Sequence, residues 1–271
     1  KPFEFLKFGT IAIPLIIVCI ISVLIVIKLL IKKLRISTKM AYLISIGSTV
    51  CGTTAIMATA PVIKASKGEV AYAIANMTIF GIISMLVYPY FANIYFDGEP
   101  LFVGLFLGTA IHETSQVAAA GLIYDQQYNS PETLNIATVT KLIRNTFLVI
   151  MIPLFAFLYN RGKTKNKSYS LLDIFPYFVL GFIGMIIFRN IGDQIFLTEN
   201  VQQFWQGSIS NIKDSAKIFL SMAMAAVGLS TNLKDLKSMG YKPFIVGFVA
   251  MITVGLVSIL TMESFAKFFF Y

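Results

Sequence analysis

The sequence is short of charge, histidine, cysteine and tryptophan, and each shortage narrows what the chain can be. Of its 271 residues, 13% are Asp, Glu, Lys or Arg, about half the share usual in soluble domains. That excludes almost any soluble enzyme. A disordered chain is excluded too, since 57% of the residues are hydrophobic. The two cysteines, Cys19 and Cys51, lie inside apolar stretches. They are too few for a disulfide scaffold, and their spacing fits no metal motif. There is one histidine, His112, so neither a zinc HExxH site nor a Ser-His-Asp hydrolase in an aqueous cleft can be built. The run His112-Glu113-Thr114-Ser115-Gln116 opens like the zinc motif but has Gln116 where the second histidine must stand. No nucleophile–base pair is visible, and the sequence gives no reason to expect an enzyme, a cofactor or a metal. No signal peptide is expected either, because the apolar run 11–31 is too long and no small-residue cleavage site follows it.

What remains is a polytopic membrane protein. Mean hydropathy is +0.78, and at roughly 20 residues per span the apolar runs mark eight segments. They cover about 10–31, 41–63, 70–95, 101–124, 134–159, 171–188, 214–231 and 243–267. A polar stretch at about 189–212, carrying the single Trp205, is expected outside the bilayer. The Phe-rich end, Phe265 to Tyr271, reads as an interface anchor. Pro14, Pro89 and Pro153 read as kinks inside spans. The net charge of +9 would suggest nucleic acid in a soluble protein. Here it reflects cytoplasmic loops rich in Lys and Arg, so the expected partners are the lipid bilayer and a small solute, not nucleic acid. A homodimer stays open. The expected location is the cell (inner or plasma) membrane.

Basic clusters at 28–39, 161–167 and 234–242 are expected in the cytoplasm. The sides of the intervening loops depend on the second and fourth segments. If each crosses once, 64–69 lies outside and 97–99 inside. If each is a re-entrant hairpin the sides swap, which raises the inside Lys/Arg count from 12 to 14 and lowers the outside count from 5 to 3.

These two segments are unlike the others. Gly47-Ser-Thr-Val-Cys-Gly-Thr-Thr-Ala-Ile-Met-Ala-Thr-Ala60 aligns without gaps on Gly108-Thr-Ala-Ile-His-Glu-Thr-Ser-Gln-Val-Ala-Ala-Ala-Gly121, with Gly47/Gly108, Thr53/Thr114 and Ala58/Ala119 identical. The likeness extends to Pro89 and Pro153. Because the copies enter from opposite sides, the repeat is inverted. The expectation is an all-α polytopic fold with about eight membrane segments, two of them broken or re-entrant and related by an inverted repeat. It forms a single transmembrane domain over 1–271, with the repeat core at about 41–159 and C-terminal helices at about 171–267.

Unwound backbone at membrane depth is tolerated only where it is buried or lines a cavity. Discontinuous helices in two halves of an inverted repeat point to a transporter binding site, and helix N-termini there favour anions. Gly47 and Gly108 are expected to permit the breaks. The candidate substrate-binding residues are Gly47, Ser48, Cys51, Gly52, Thr53 and Thr54 in the first copy. In the second they are Gly108, Thr109, His112, Glu113, Thr114, Ser115 and Gln116. Lys141, Arg144 and Asn145 join them, sharing one face of a helix at i, i+3 and i+4. Two cations at that depth should face the bundle interior rather than lipid, although snorkelling stays open for Lys141. Arg144 could grip an oxyanion or pair with Glu113, and His112 or Glu113 could carry a coupling proton. Asn76 is a weaker candidate.

These residues also carry a resemblance. Gly47 to Ile56, followed by Pro61-Val-Ile-Lys-Ala, resembles the first signature of the YeiH family, a bacterial inner-membrane family named for sulfate export. Ile111 to Gly121 resembles its second. Lys141-Leu-Ile-Arg144, Ala223 to Thr231 and Lys242-Pro243 fit the rest, so nearly the whole chain is covered. The resemblance implies a fold related to transporters with paired discontinuous helices and a small anion as substrate. It also implies further spans before Lys1, and so a chain shortened at its N-terminus. Two other functions stay open: a cation/proton antiporter on the same architecture, with Glu113 exchanging, and a non-transporting membrane subunit.

Overall fold

Within a bilayer each backbone N–H and C=O must find its partner inside the protein, and this chain meets the demand with helices. The computed structural model describes the backbone of residues 2–161, 178–196, 199–229 and 240–269. The basic residues 163–167, the start of the sixth segment at 171–177 and residues 230–239 fall outside these, as do the side chains of 223–228 and of the Phe-rich end. The helices are α1 (Pro2–Leu34), α2 (Thr38–Thr49), α3 (Gly52–Thr59), α4 (Lys67–Tyr95), α5 (Pro100–Ala110), α6 (Thr114–Tyr128), α7 (Pro131–Thr146), α8 (Leu148–Arg161), α9 (Phe178–Ile195), α10 (Glu199–Leu229) and α11 (Lys242–Phe269). Among the described residues there is no strand.

Among the described residues four stretches are long and apolar enough to span: Ile11–Leu34, Lys67–Tyr95, Pro131–Tyr159 and Lys242–Ser264. The third joins α7 to α8 through Phe147. In α1 the buried residues Ala12, Leu15, Ile16, Cys19, Ile20, Val23 and Ile27 recur at helical spacing, while Ile13, Ile17, Ile21 and Ile25 stay exposed. Lipid tails are as apolar as those side chains, so the inner stripe is selected by packing rather than by transfer from water. Helices α1, α4 and α8 run on through Pro14, Pro89 and Pro153.

The pairs α2–α3 and α5–α6 do not cross. Helix α3 has 8 residues, about 12 Å at 1.5 Å per residue, far short of the ~30 Å core. Its end returns to the beginning of α2, where the Lys39 ammonium donates to the carbonyl of Lys64 at 2.5 Å. Nearby, the Ser37 hydroxyl donates to Glu69 at 3.0 Å. Ser37 caps α2 by accepting from the Met40 N–H, and Ser66 caps α4 in a reciprocal box with Glu69. The second pair closes likewise at the other end of α4, where the Tyr124 hydroxyl donates to Asn93 at 2.8 Å. Both are re-entrant hairpins.

Helix α4 serves as a ruler. Hairpin 1 has its base beside Glu69 and its Ser48 hydroxyl on the Met77 sulfur; hairpin 2 has its base beside Asn93 and its Gln116 amide on the Thr78 carbonyl. The tips therefore come from opposite ends and meet at mid-helix. Helix α11 lies parallel to α4. Tyr72 donates to the Gly240 carbonyl, Asn76 to that of Pro243, Tyr88 to that of Met251, and Tyr95 to Glu263. Asn76 is thus a fastener between these two helices.

Within the polar stretch 189–212 the described residues 189–195 and 199–212 are helical, being the end of α9 and the first part of α10. Trp205 is buried against this pair: its indole N–H donates to Asp193 at 2.8 Å, its ring lies 5.3 Å from that of Phe188, and Gly192 leaves room for it. Its polarity marks an exposed helix face, with Arg189 bonded to Asp193 one turn on.

Charge divides between the two ends of the bundle. Arg35, Lys39, Lys64, Lys67 and Lys242 gather with the acid Glu69 at the base of hairpin 1, and Asp97, Glu99, Asp125, Glu132 and Glu263 at the base of hairpin 2. By the positive-inside rule the first end faces the cytoplasm. Cysteines placed at Lys33 and Lys64 should therefore react with an impermeant maleimide from the same side of the membrane, and one at Asp97 from the other. Labelling of Lys33→Cys and Lys64→Cys from opposite sides is what a single crossing would give.

Candidate functional site

The hairpin tips break where intrahelical bonding stops. Val50 (φ −126°, ψ −84°) and Cys51 (φ −139°, ψ 73°) separate α2 from α3, and Gly52 opens α3 at φ +20°. In hairpin 2, Ile111 and Glu113 are extended, with ψ 136° and 140°. Gly47 and Gly108 do not sit at the breaks as expected. Each lies inside its helix, two residues before the end, and serves close packing. A Cβ on Gly108 would stand 2.6 Å from the Ala137 carbonyl oxygen, and one on Gly104 2.5 Å from Ile136. This small-xxx-small pair seats α7 against α5 as in other membrane helix pairs. Gly121 does the same against Leu134 from α6.

Ending two helices at membrane depth strands their last carbonyls, which also carry the negative ends of the helix dipoles. Two side chains of α7 answer this. The Lys141 ammonium donates to the carbonyls of Val50 (2.9 Å), Ile111 (3.0 Å) and His112 (2.6 Å). Arg144 donates from Nε to Thr49 (2.9 Å), from Nη2 to Ser48 (2.5 Å) and from Nη1 to Thr109. Both cations are fully enclosed, at 0% and 1% exposure. Lys141 therefore does not snorkel. Arg144 does not pair with Glu113 either, since its nitrogens face carbonyl oxygens of both hairpins. The first repeat has no counterpart. With the N-caps Ser66 and Ser130 in register, Met77 and Phe80 stand in α4 where α7 has Lys141 and Arg144.

The outer arms of the hairpins begin without caps. The N-cap residues of α3 and α6 are Cys51 and Glu113, and neither makes a side-chain capping bond. The two beginnings touch. Cys51 Sγ lies 3.7 Å from Thr114 Oγ1, Asn145 donates to Thr114 Oγ1 at 3.0 Å, and the Thr53 hydroxyl donates to the Glu113 carboxylate. Thr53 is buried, Glu113 and Thr114 are half-buried, and Thr54 and Ser115 are exposed. His112 is wholly buried, with neither ring nitrogen bonded.

The structure thus gathers Cys51, Gly52, Thr53, Thr54, His112, Glu113, Thr114, Ser115 and Asn145 at the crossing, with Lys141 and Arg144 behind the carbonyls. Gly47, Ser48, Gly108 and Thr109 lie one turn back, in packing. The Thr109 hydroxyl is shared with Ser258 of α11 at 2.6 Å, a partner that nothing in the sequence marks. Gln116 turns to α4, beside Gly81.

A pair of oppositely inserted re-entrant hairpins, clamped at their tips within a helical bundle, defines an all-α multi-pass membrane protein. The chain belongs to the family described as Conserved hypothetical protein 698, which it matches over residues 2–247. It is 37% identical over 257 residues to a UPF0324 membrane protein of Fusobacterium nucleatum, covering 93% of this chain and 74% of that one. It is 35% identical over 262 residues to a UPF0324 membrane protein of Streptococcus agalactiae serotype V (96% and 75%). A UPF0324 membrane protein of Clostridium tetani is 31% identical over 250 residues (87% and 68%). No solved structure matches the chain.

Removing Arg144 would leave three carbonyls without a donor. Arg144→Ala should lower stability by on the order of 3–5 kcal/mol, the scale for breaking a buried charged interaction, while the protein still inserts. Ile83→Ala, on the exposed face of α4, should shift the unfolding temperature little. Thermal unfolding of both variants in detergent checks this, and equal shifts would count against the clamp.

Proposed function

We propose that the protein is a secondary transporter of a small anion, with sulfate and related oxyanions as the first candidates and export as the direction the family resemblance suggests. The observation that carries this reading is the pair of uncapped helix N-termini meeting at mid-bundle. Free backbone N–H groups there, together with the hydroxyls of Thr53, Thr54, Thr114 and Ser115, offer donors to an anion from two opposed directions. Hairpins from opposite ends of the bundle supply the pseudo-symmetric frame that alternating access uses. In this reading Lys141 and Arg144 attract the anion by charge from behind the carbonyls, without touching it.

A second reading, cation/proton antiport, draws on a buried acceptor without a partner, Asn145 Oδ1, in a residue bonded to Thr114 next to Glu113. Calorimetric titration of the purified full chain separates the two. Saturable sulfate binding, weakened about tenfold or more by the double change Thr53→Val and Thr114→Val, is expected from losing hydrogen bonds of about 1.5–3 kcal/mol to a charged group. Transport driven by a sodium gradient, with no response to sulfate, sulfite, phosphate or taurine, would replace the anion reading by the second.

A further inference from the structure

We propose that the cavity at the base of hairpin 1 is a lipid site: it holds the headgroup of a zwitterionic phospholipid of the cytoplasmic leaflet, with the phosphate on Lys39 and the ammonium facing Glu69. The site lies apart from the crossing and does not depend on what the protein transports.

The cavity measures about 530 Å³, within the range of ligand pockets. Lys39 and Tyr42 of α2, Glu69 of α4, and Leu158 and Tyr159 of α8 line it. Its depth follows from the spans. Ser37, also in its wall, stands just beyond the span Ile11–Leu34. Glu69 is in the first turn of the span Lys67–Tyr95, and Tyr159 is the last residue of the span Pro131–Tyr159. These three helix ends place the cavity where hydrocarbon gives way to headgroups. It is the end of the bundle that the basic residues assign to the cytoplasm.

Two opposite charges face this space without pairing with each other: among the described residues Lys39 and Glu69 form no ion pair. An ammonium has three N–H donors, and the Lys39 ammonium spends one on the Lys64 carbonyl. The Glu69 carboxylate accepts from Ser37 and Ser66, which are neutral donors. Both side chains are half-buried, so their charges are only partly screened by water. A cation and an anion set in one cavity match a ligand that carries both signs a few bonds apart, as the phosphate and ammonium of an ethanolamine headgroup are. A purely anionic headgroup gains from Lys39 and is repelled by Glu69.

The walls favour a lipid over a soluble ligand of the same chemistry. The Tyr42 ring packs edge-on against Phe155 and Tyr159, each with centroids 5.6 Å apart, an aromatic wall suited to the membrane interface. From the cavity, Leu158, Leu154 and Ile150 run down α8 as an exposed stripe at i, i+4 spacing, a track for an acyl chain. A lipid held there joins the beginnings of α2 and α4 to the end of α8. It fixes the base of hairpin 1 as Lys141 and Arg144 fix its tip.

The test uses the full chain in detergent, titrated with phosphatidylethanolamine and with phosphatidylglycerol, bound lipid being counted by native mass spectrometry. One phosphatidylethanolamine should bind about tenfold more tightly than phosphatidylglycerol, the scale of one hydrogen bond to a charged group. Glu69→Gln keeps the capping box and removes the charge, so it should weaken phosphatidylethanolamine alone and erase the preference. Lys39→Gln should weaken both lipids about tenfold. Lys33→Gln, which changes an exposed cation of α1 outside the cavity, should alter neither. Equal binding of the two lipids by the wild type overturns the proposal. A loss in Lys33→Gln as large as in Lys39→Gln also overturns it, by making the attraction one of general surface charge. Soluble glycerophosphoethanolamine binding as tightly as the lipid overturns the lipid as its source. Should either cavity variant not fold, the wild type is exposed to phosphatidylethanolamine with a photoactivatable group near the top of an acyl chain. Label should then fall between Ile150 and Tyr159, and label confined to other helices has the same overturning force.

Discussion

Everything at the centre of this bundle depends on satisfying helix carbonyls where there is no water. A re-entrant hairpin ends a helix in the middle of the membrane, and the exposed C=O groups there would each cost several kcal/mol. Lys141 and Arg144 remove that cost for both hairpins together, with six hydrogen bonds to carbonyls of the two hairpin tips. Burying the two cations is itself expensive, so each half of the arrangement is stable only because of the other. The glycine seats on α5 and α6 bring α7 close enough for these side chains to reach.

A consequence of the clamp is that the tips move together or not at all. One face of α7 holds the end of α2 and the end of α5, while Thr109 ties hairpin 2 to α11 through Ser258. Helices α4 and α11 are in turn joined along their length by Tyr72, Asn76 and Tyr88. The crossing is therefore one rigid block, and rearrangement during any transport cycle has to occur at its margins.

Much of this was legible in the sequence because membrane depth penalises unusual composition. Glycines, hydroxyls and a His-Glu pair in the middle of apolar runs demanded a special reason, and the repeat of that pattern indicated paired discontinuous helices. The i, i+3 spacing of Lys141 and Arg144 put both cations on one interior face. Their partners could not be read, because backbone carbonyls leave no mark in a sequence. Gly47 and Gly108 were misplaced for a related reason: glycine signals a bend and a close approach alike, and only neighbouring atoms decide which. The helices within 189–212 could not be told from polarity alone, since their polar residues lie on the open face of a pair anchored by Trp205.

The clamp also breaks the internal two-fold symmetry. In transporters built from inverted repeats, the inward- and outward-facing forms arise when the two halves exchange conformations, so equal halves give forms of nearly equal energy. Here one half carries two cations where the other carries Met77 and Phe80. Exchanging the conformations of the halves would not reproduce the same contacts. The two halves of the core are thus inequivalent, and under the transport cycle proposed above a single helix would favour one orientation over the other.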